Sequence, residues 1–132
     1  MAKTYTAELI VWTKGDSNSP LFFPITGWEE TAGVGDIRPT PTSTNNSGDC
    51  QIKPGYRTCN DPKDPADYQT PGALGSTEKH SDGTDYNGTF VTPTFSNFRY
   101  YQLGILAQNY TASSTLTEMC LAKVVFQVKI PG

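Results

Sequence analysis

Residues 97–107, Asn-Phe-Arg-Tyr-Tyr-Gln-Leu-Gly-Ile-Leu-Ala, constrain the fold more than any other stretch of the chain. Taken with period two, Tyr101, Leu103, Ile105 and Ala107 share one face, and Phe98, Tyr100, Gln102, Gly104 and Leu106 share the other. Both faces carry bulk, so the stretch reads as a central strand covered on each side. The last apolar run, residues 123–130, puts Val124, Phe126, Val128 and Ile130 on one face and the more polar set Val125, Gln127 and Lys129 on the other. We expect these two runs to be sheet partners.

A strand covered on both sides needs a second layer, and a chain of 132 residues can supply one. A single β domain over residues 1–132 is expected, burying about two-thirds of the surface its unfolded chain exposes. Only 17% of the residues are charged, with 12 Gly and 10 Pro among many Thr, Ser and Asn. Turn formers and β-branched residues at low charge are the profile of an all-β domain. No amphipathic helix of ten residues is present, which argues against a parallel α/β fold. The expected class is an antiparallel β-sandwich or jelly-roll-like domain with long irregular loops.

Residues 4–13 alternate, with Tyr5, Ala7, Leu9 and Val11 facing one way and Thr4, Thr6 and Glu8 the other. Ile10 and Trp12 turn the second face apolar, so that end is expected to be covered. Residues 14–20 form a turn by composition, and 21–26 a short strand in which Pro24 argues for an edge or a bulge. These two strands could make a hairpin. Long loops follow at about 31–49 and 60–86, a length that in compact domains is usually functional, disordered or ordered by a partner. Between them, Cys50-Gln-Ile-Lys-Pro-Gly-Tyr-Arg-Thr-Cys59 suggests a hairpin turning at Pro54-Gly55. Lys53 would then pair with Tyr56, and Cys50 would lie opposite Cys59 at about 4.5 Å between Cα atoms, close enough for a disulfide. Residues 88–94 read as a strand and 108–114 as a turn. Thr115-Leu-Thr-Glu118 fits a capping box, and a bulged strand over 116–130 competes with that helical turn.

The formal charge is −3 and the pI about 5.0 with no basic run, so nothing here neutralises a phosphate backbone. No 18-residue apolar stretch exists to cross a membrane, and the first residues lack the apolar region of a secretion signal. We therefore expect no nucleic-acid or membrane partner, and synthesis without a classical signal peptide.

Candidate chemistry is sparse. Glu78, His80 and Asp82 alternate and could ligate zinc from an extended backbone, but a solvated loop explains them as well. Asp82, Asp85 and Asn87, in Asp-Gly-Thr-Asp-Tyr-Asn-Gly, are weak calcium candidates whose spacing departs from an EF-hand and matches ordinary tight turns. There is no Gly-x-Ser-x-Gly elbow, and a Cys–His pair would depend on the lone His80. Gly33-Val-Gly35 lacks the Lys and helix of a phosphate loop. No catalytic residue and no cofactor is assigned. Cys120 is the odd thiol, expected to act as a small buried hydrophobe. The sequons at Asn45, Asn87 and Asn109 are ordinary for this composition.

Aromatic residues carry more. Trp28, Tyr56, Tyr68 and Tyr86 lie on or beside loops, where Tyr and Trp offer large rigid contact area with a polar tip. We take them as interface candidates. The function expected is that of a non-catalytic structural protein, a homo-oligomer of copies of itself or an associate of other particle subunits. It would build or decorate a symmetric particle, a virion in the first instance, as a capsid, cement or tail component. The alternative is a small carbohydrate-binding, lectin-like module built on the loop at 82–88.

Overall fold

The computed structural model describes residues 2–13, 20–43, 50–75, 79–80, 89–95, 97–109 and 117–130. In chain order the strands are β1 (Ala2–Trp12), β2 (Leu21–Pro24), β3 (Glu29–Glu30), β4 (Ile37–Ser43), β5 (Cys50–Cys59), β6 (Gly72–Ala73), β7 (Lys79–His80), β8 (Tyr100–Asn109) and β9 (Met119–Lys129). A 3₁₀ turn, Pro65–Asp67, lies between β5 and β6.

They form two open antiparallel sheets. The smaller has the order β1-β9-β4, and the larger β2-β8-β5-β6, with β3 extending β2's edge on β8 and β7 extending β6's edge on β5. The fold is an all-β sandwich, as the alternation and turn chemistry predict. β1 faces β8, β9 faces β5 and β4 lies beside β5, so the two sheets enclose one core. Val11, Ile37, Ile52, Leu103, Ile105, Val124, Phe126 and Val128 are buried in it at 1% exposure or less. Each such side chain contributes about 1.5–3 kcal/mol by leaving water.

Strand β9 shows the expected alternation, with Cys120, Ala122, Val124, Phe126 and Val128 inward. β8 is buried at every position from Tyr101 to Ala107, which is the two-sided covering its sequence implies. These strands are not partners, however: β8 pairs with β2, β3 and β5, and β9 with β1 and β4. Each supplies the middle of a different sheet, and its apolar inner face is covered by a strand of the other sheet, β1 over β8 and β5 over β9.

The pairing of β1 with β9 also removes the expected hairpin between the first two strands, since β2 joins the other sheet. The loop expected at 31–49 contains β4, Ile-Arg-Pro-Thr-Pro-Thr-Ser, which pairs with β9 along its length. Pro39 and Pro41 are tolerated there because β4 is an edge strand, and both are buried beside Ile37 on its inner face. In the 88–94 stretch the described residues form a single bridge, Val91 to Ile37, instead of a strand. Residues 119–129 are strand and not a helical turn.

The largest correction concerns residues 50–59. They form one continuous strand, not a hairpin, and all ten positions pair with β8. Cys50 and Cys59 thus sit at opposite ends of β5, about 30 Å apart at ~3.3 Å per residue, which excludes the expected disulfide between them. Pro54 fits in this interior strand because its carbonyl accepts from Leu74 N at 2.8 Å, toward β6. Its nitrogen points the same way, into the interval between β6 and β7, so its missing N–H takes nothing from the β8 ladder.

Candidate interaction surface

The outward face of the larger sheet is a ladder of cross-strand pairs from β5 and β8: Gln51 with Gln108, Lys53 with Leu106, Gly55 with Gly104, Arg57 with Gln102, and Cys59 with Tyr100. At its centre the two glycines leave a trough. A Cβ on Gly104 would lie 2.5 Å from Phe23 O and 2.6 Å from Phe22 Cζ, and one on Gly55 would lie 2.8 Å from Leu106 Cγ. Phe22 and Leu106 occupy the space that those missing side chains release.

One step along the ladder, the Arg57 guanidinium lies among three rings, its Cζ being 4.7 Å from the Tyr68 ring centroid, 5.2 Å from Phe22 and 5.3 Å from Trp28. Trp28 and Tyr68 touch each other with centroids 4.8 Å apart. The guanidinium is aimed by its partner across the ladder: Arg57 Nε donates to Gln102 Oε1 at 2.7 Å, and Gln102 Nε2 donates to Thr26 O at 2.8 Å. Partial burial lowers the Arg57 pKa, a trend that Tyr68 and Cys59 oppose, and an arginine so shifted stays charged.

Tyr68 reaches this cluster because residues 60–69 fold back over the sheet. Asp67 Oδ2 accepts from Asn60 N at 2.6 Å and from Asp61 N at 2.9 Å. Asp64 caps the 3₁₀ turn by accepting from Ala66 N, and Gln69 N returns to Thr58 O at 2.9 Å. Tyr68 is then locked by donating its hydroxyl to Pro62 O at 2.6 Å. The Asp-Pro pairs that mark this region as loop are also what folds it into a platform support.

Of the interface candidates, Trp28 and Tyr68 are thus brought together, half-buried, around a cation. Tyr56 is not with them. It points to the opposite face of β5, packing at the core margin with its ring 5.7 Å from Phe95. Tyr86 lies outside the described residues, as do the calcium candidates Asp82, Asp85 and Asn87, together with Glu78, Asn45 and the whole 82–88 loop of the lectin-like alternative. Asn109, the remaining sequon asparagine, is fully buried. Among the described residues, no group of three His, Cys, Asp or Glu side chains could hold a metal ion.

Two further surface features stand apart. An open cleft of about 310 Å³ at the β3–β8 end is lined by Glu30, Thr31, Ala32, Asn97, Phe98, Arg99 and Tyr100. On the smaller sheet's outer face, Ile10 and Trp12 are 55% and 46% exposed, so among the described residues the covering expected at that end of β1 is not found. Trp12 instead reaches round the open edge of the sandwich to meet Phe23 edge-on at 4.6 Å.

Arg57, Gln102 and Phe22 were not legible as site residues. Reading 50–59 as a hairpin hid the register that sets Arg57 opposite Gln102. The usable signal was the pair of glycines, Gly55 and Gly104, because a glycine inside a strand marks close approach by another group.

No known family matches this chain, and no curated protein does. Its fold does match solved structures of a virus particle. The VP2 subviral particle of infectious bursal disease virus aligns with a TM-score of 0.57 at 10% identity, and the structure of the Gx strain of that virus with 0.51 at 7%. Each match takes in all of this chain and 33% of the other, so this chain spans about a third of the length of the chains it resembles. The likeness is one of fold.

Proposed function

We propose that this chain is a non-catalytic structural protein that assembles with copies of itself or with other particle subunits, as a capsid, cement or tail component of a virion. The observation that carries the reading is the fold: the whole chain matches the sandwich of a protein whose structure was determined as a subviral particle. The Arg57–Trp28–Tyr68 platform supports it, because Trp, Tyr and Arg are the residues that dominate binding energy at protein interfaces. The net charge of −3 and the absence of a basic run favour protein partners over nucleic acid. Among the described residues no helix is long and apolar enough to cross a membrane.

The test is the native mass by light scattering over a concentration series, with negative-stain imaging of the peak. A defined oligomer or particle is expected, and Trp28→Ala with Tyr68→Ala should shift it toward monomer while the circular dichroism spectrum is kept. A monomer at the highest concentration, alone and with candidate particle subunits, would overturn the reading.

A further inference from the structure

The two cysteines that the sequence does not pair are the ones that the fold brings together. Cys50, at the start of β5 in the larger sheet, and Cys120, near the start of β9 in the smaller sheet, have their Sγ atoms 2.8 Å apart. A disulfide needs about 2.05 Å, so a further approach of roughly 0.8 Å would join them. We propose that Cys50 and Cys120 are a redox-active pair that closes into a disulfide stapling one sheet of the sandwich to the other.

Three observations support the pair over other uses of these thiols. Both residues are buried, at 0% and 2% exposure, and both belong to the core cluster, so neither is placed to cross-link a second molecule. Cys59, at the far end of β5, is about 30 Å from Cys50 and cannot compete. Its own thiol is pushed up in pKa by burial, with Asp67 adding to the effect, which keeps it protonated and slow to react.

The oxidant is a low-molecular-weight disulfide. One cysteine, as thiolate, attacks a sulfur of that disulfide and expels one small thiolate, leaving a mixed disulfide. The second cysteine gives up its proton and attacks the protein sulfur, and the second small thiolate leaves. Two electrons pass to the reagent, the two protons go to the two released thiolates, and one protein disulfide forms. The cross-link joins residues 70 positions apart, so it removes much more freedom from the unfolded chain than a ten-residue hairpin link would. The proposal is independent of the particle reading, since it concerns the inside of one chain.

The experiment takes the full chain, reduced, and equilibrates it in oxidised and reduced glutathione both in the folded state and through a refolding step. It is then trapped under denaturing conditions with N-ethylmaleimide and read by intact mass and peptide mapping. The expected product carries one blocked thiol, at Cys59, and a linked peptide pair containing Cys50 and Cys120. Its midpoint of thermal unfolding should lie roughly 10 °C above that of the reduced chain and return to it on reduction. Cys59→Ser should keep the link and the shift, and Cys120→Ser should lose both. Three blocked thiols in both arms, a link that includes Cys59, a chain-to-chain dimer or a glutathione adduct as the end product would each overturn the proposal.

Discussion

In the larger sheet the central strand β8 is buried without a break from Tyr101 to Ala107, whereas β9, at the centre of the smaller sheet, alternates buried and open positions. The outward residues make the contrast sharper. Gln102 on β8 is only 8% exposed, while the apolar Val125 on β9 stays half-open. Polarity alone would order them the other way. What differs is the layer above: Phe22 lies over the Gly55–Gly104 trough, and residues 60–69 bring Tyr68 down beside Arg57. Nothing comparable among the described residues overlies β1 and β9. A strand's inner face is buried by its pattern; its outer face is buried by whatever the chain folds across it.

Substitutions in the two sheets should separate these two kinds of burial. The largest effect is expected in the shared core, where Phe126→Ala removes a fully buried ring and should cost about 3–5 kcal/mol in denaturant unfolding. If the smaller sheet were dispensable to the sandwich, that loss would be far smaller. Next comes Gly104→Val. Its new Cβ would meet the Phe23 carbonyl and the Phe22 ring, so β2 must shift, at about 1–3 kcal/mol. A neutral result would mean that the larger sheet's outer layer is not tightly seated.

Arg57→Ala is expected to be milder, about 1–2 kcal/mol, because it strands the buried Gln102 side-chain carbonyl and removes a cation from three rings. Its fingerprint should be a change in Trp28 fluorescence, absent in a matched change on the smaller sheet. That matched change is Ile10→Thr, on an exposed position, which should alter stability by no more than about 0.5 kcal/mol. A larger loss there would show that the smaller sheet's outer face is covered after all.

Alkaline titration tests the interior that the two sheets share. Burial, with lesser help from Tyr5 and Glu29, pushes the Tyr101 hydroxyl up from 10.0 to about 12. Between those values the unfolded chain has released a proton that the folded chain still holds, so stability falls as pH rises through this window. Below pH 10 this group should leave stability unchanged, and Tyr101→Phe should remove its share of the alkaline loss. An unfolding midpoint that is flat from pH 10 to 12 would contradict the burial of this hydroxyl.

Much of the architecture was legible, though unevenly. The faces of β1, β8 and β9 can be read from alternation, and the prolines and glycines mark where regular structure changes. β4 was hidden because Ile37, Pro39 and Pro41 form an apolar face of period two in which two members are residues that ordinarily signal a loop. β5 was misread for a related reason: Pro54-Gly55 has the composition of a turn, yet Pro54 faces an interval between short strands and Gly55 lies across from Gly104. Of the site, Trp28 and Tyr68 could be named as exposed aromatics, but not their meeting around Arg57.

Side-chain alternation alone points this chain to a two-layered β structure, since it is a property of neighbouring residues and needs no knowledge of what lies across the core. Which strands pair, which outer face is covered, and the meeting of Cys50 with Cys120 and not Cys59 emerge only in the folded chain. Those outcomes depend on contacts between segments far apart in the chain. They are selected by the total apolar surface that the two sheets bury together, a sum to which no local stretch has access.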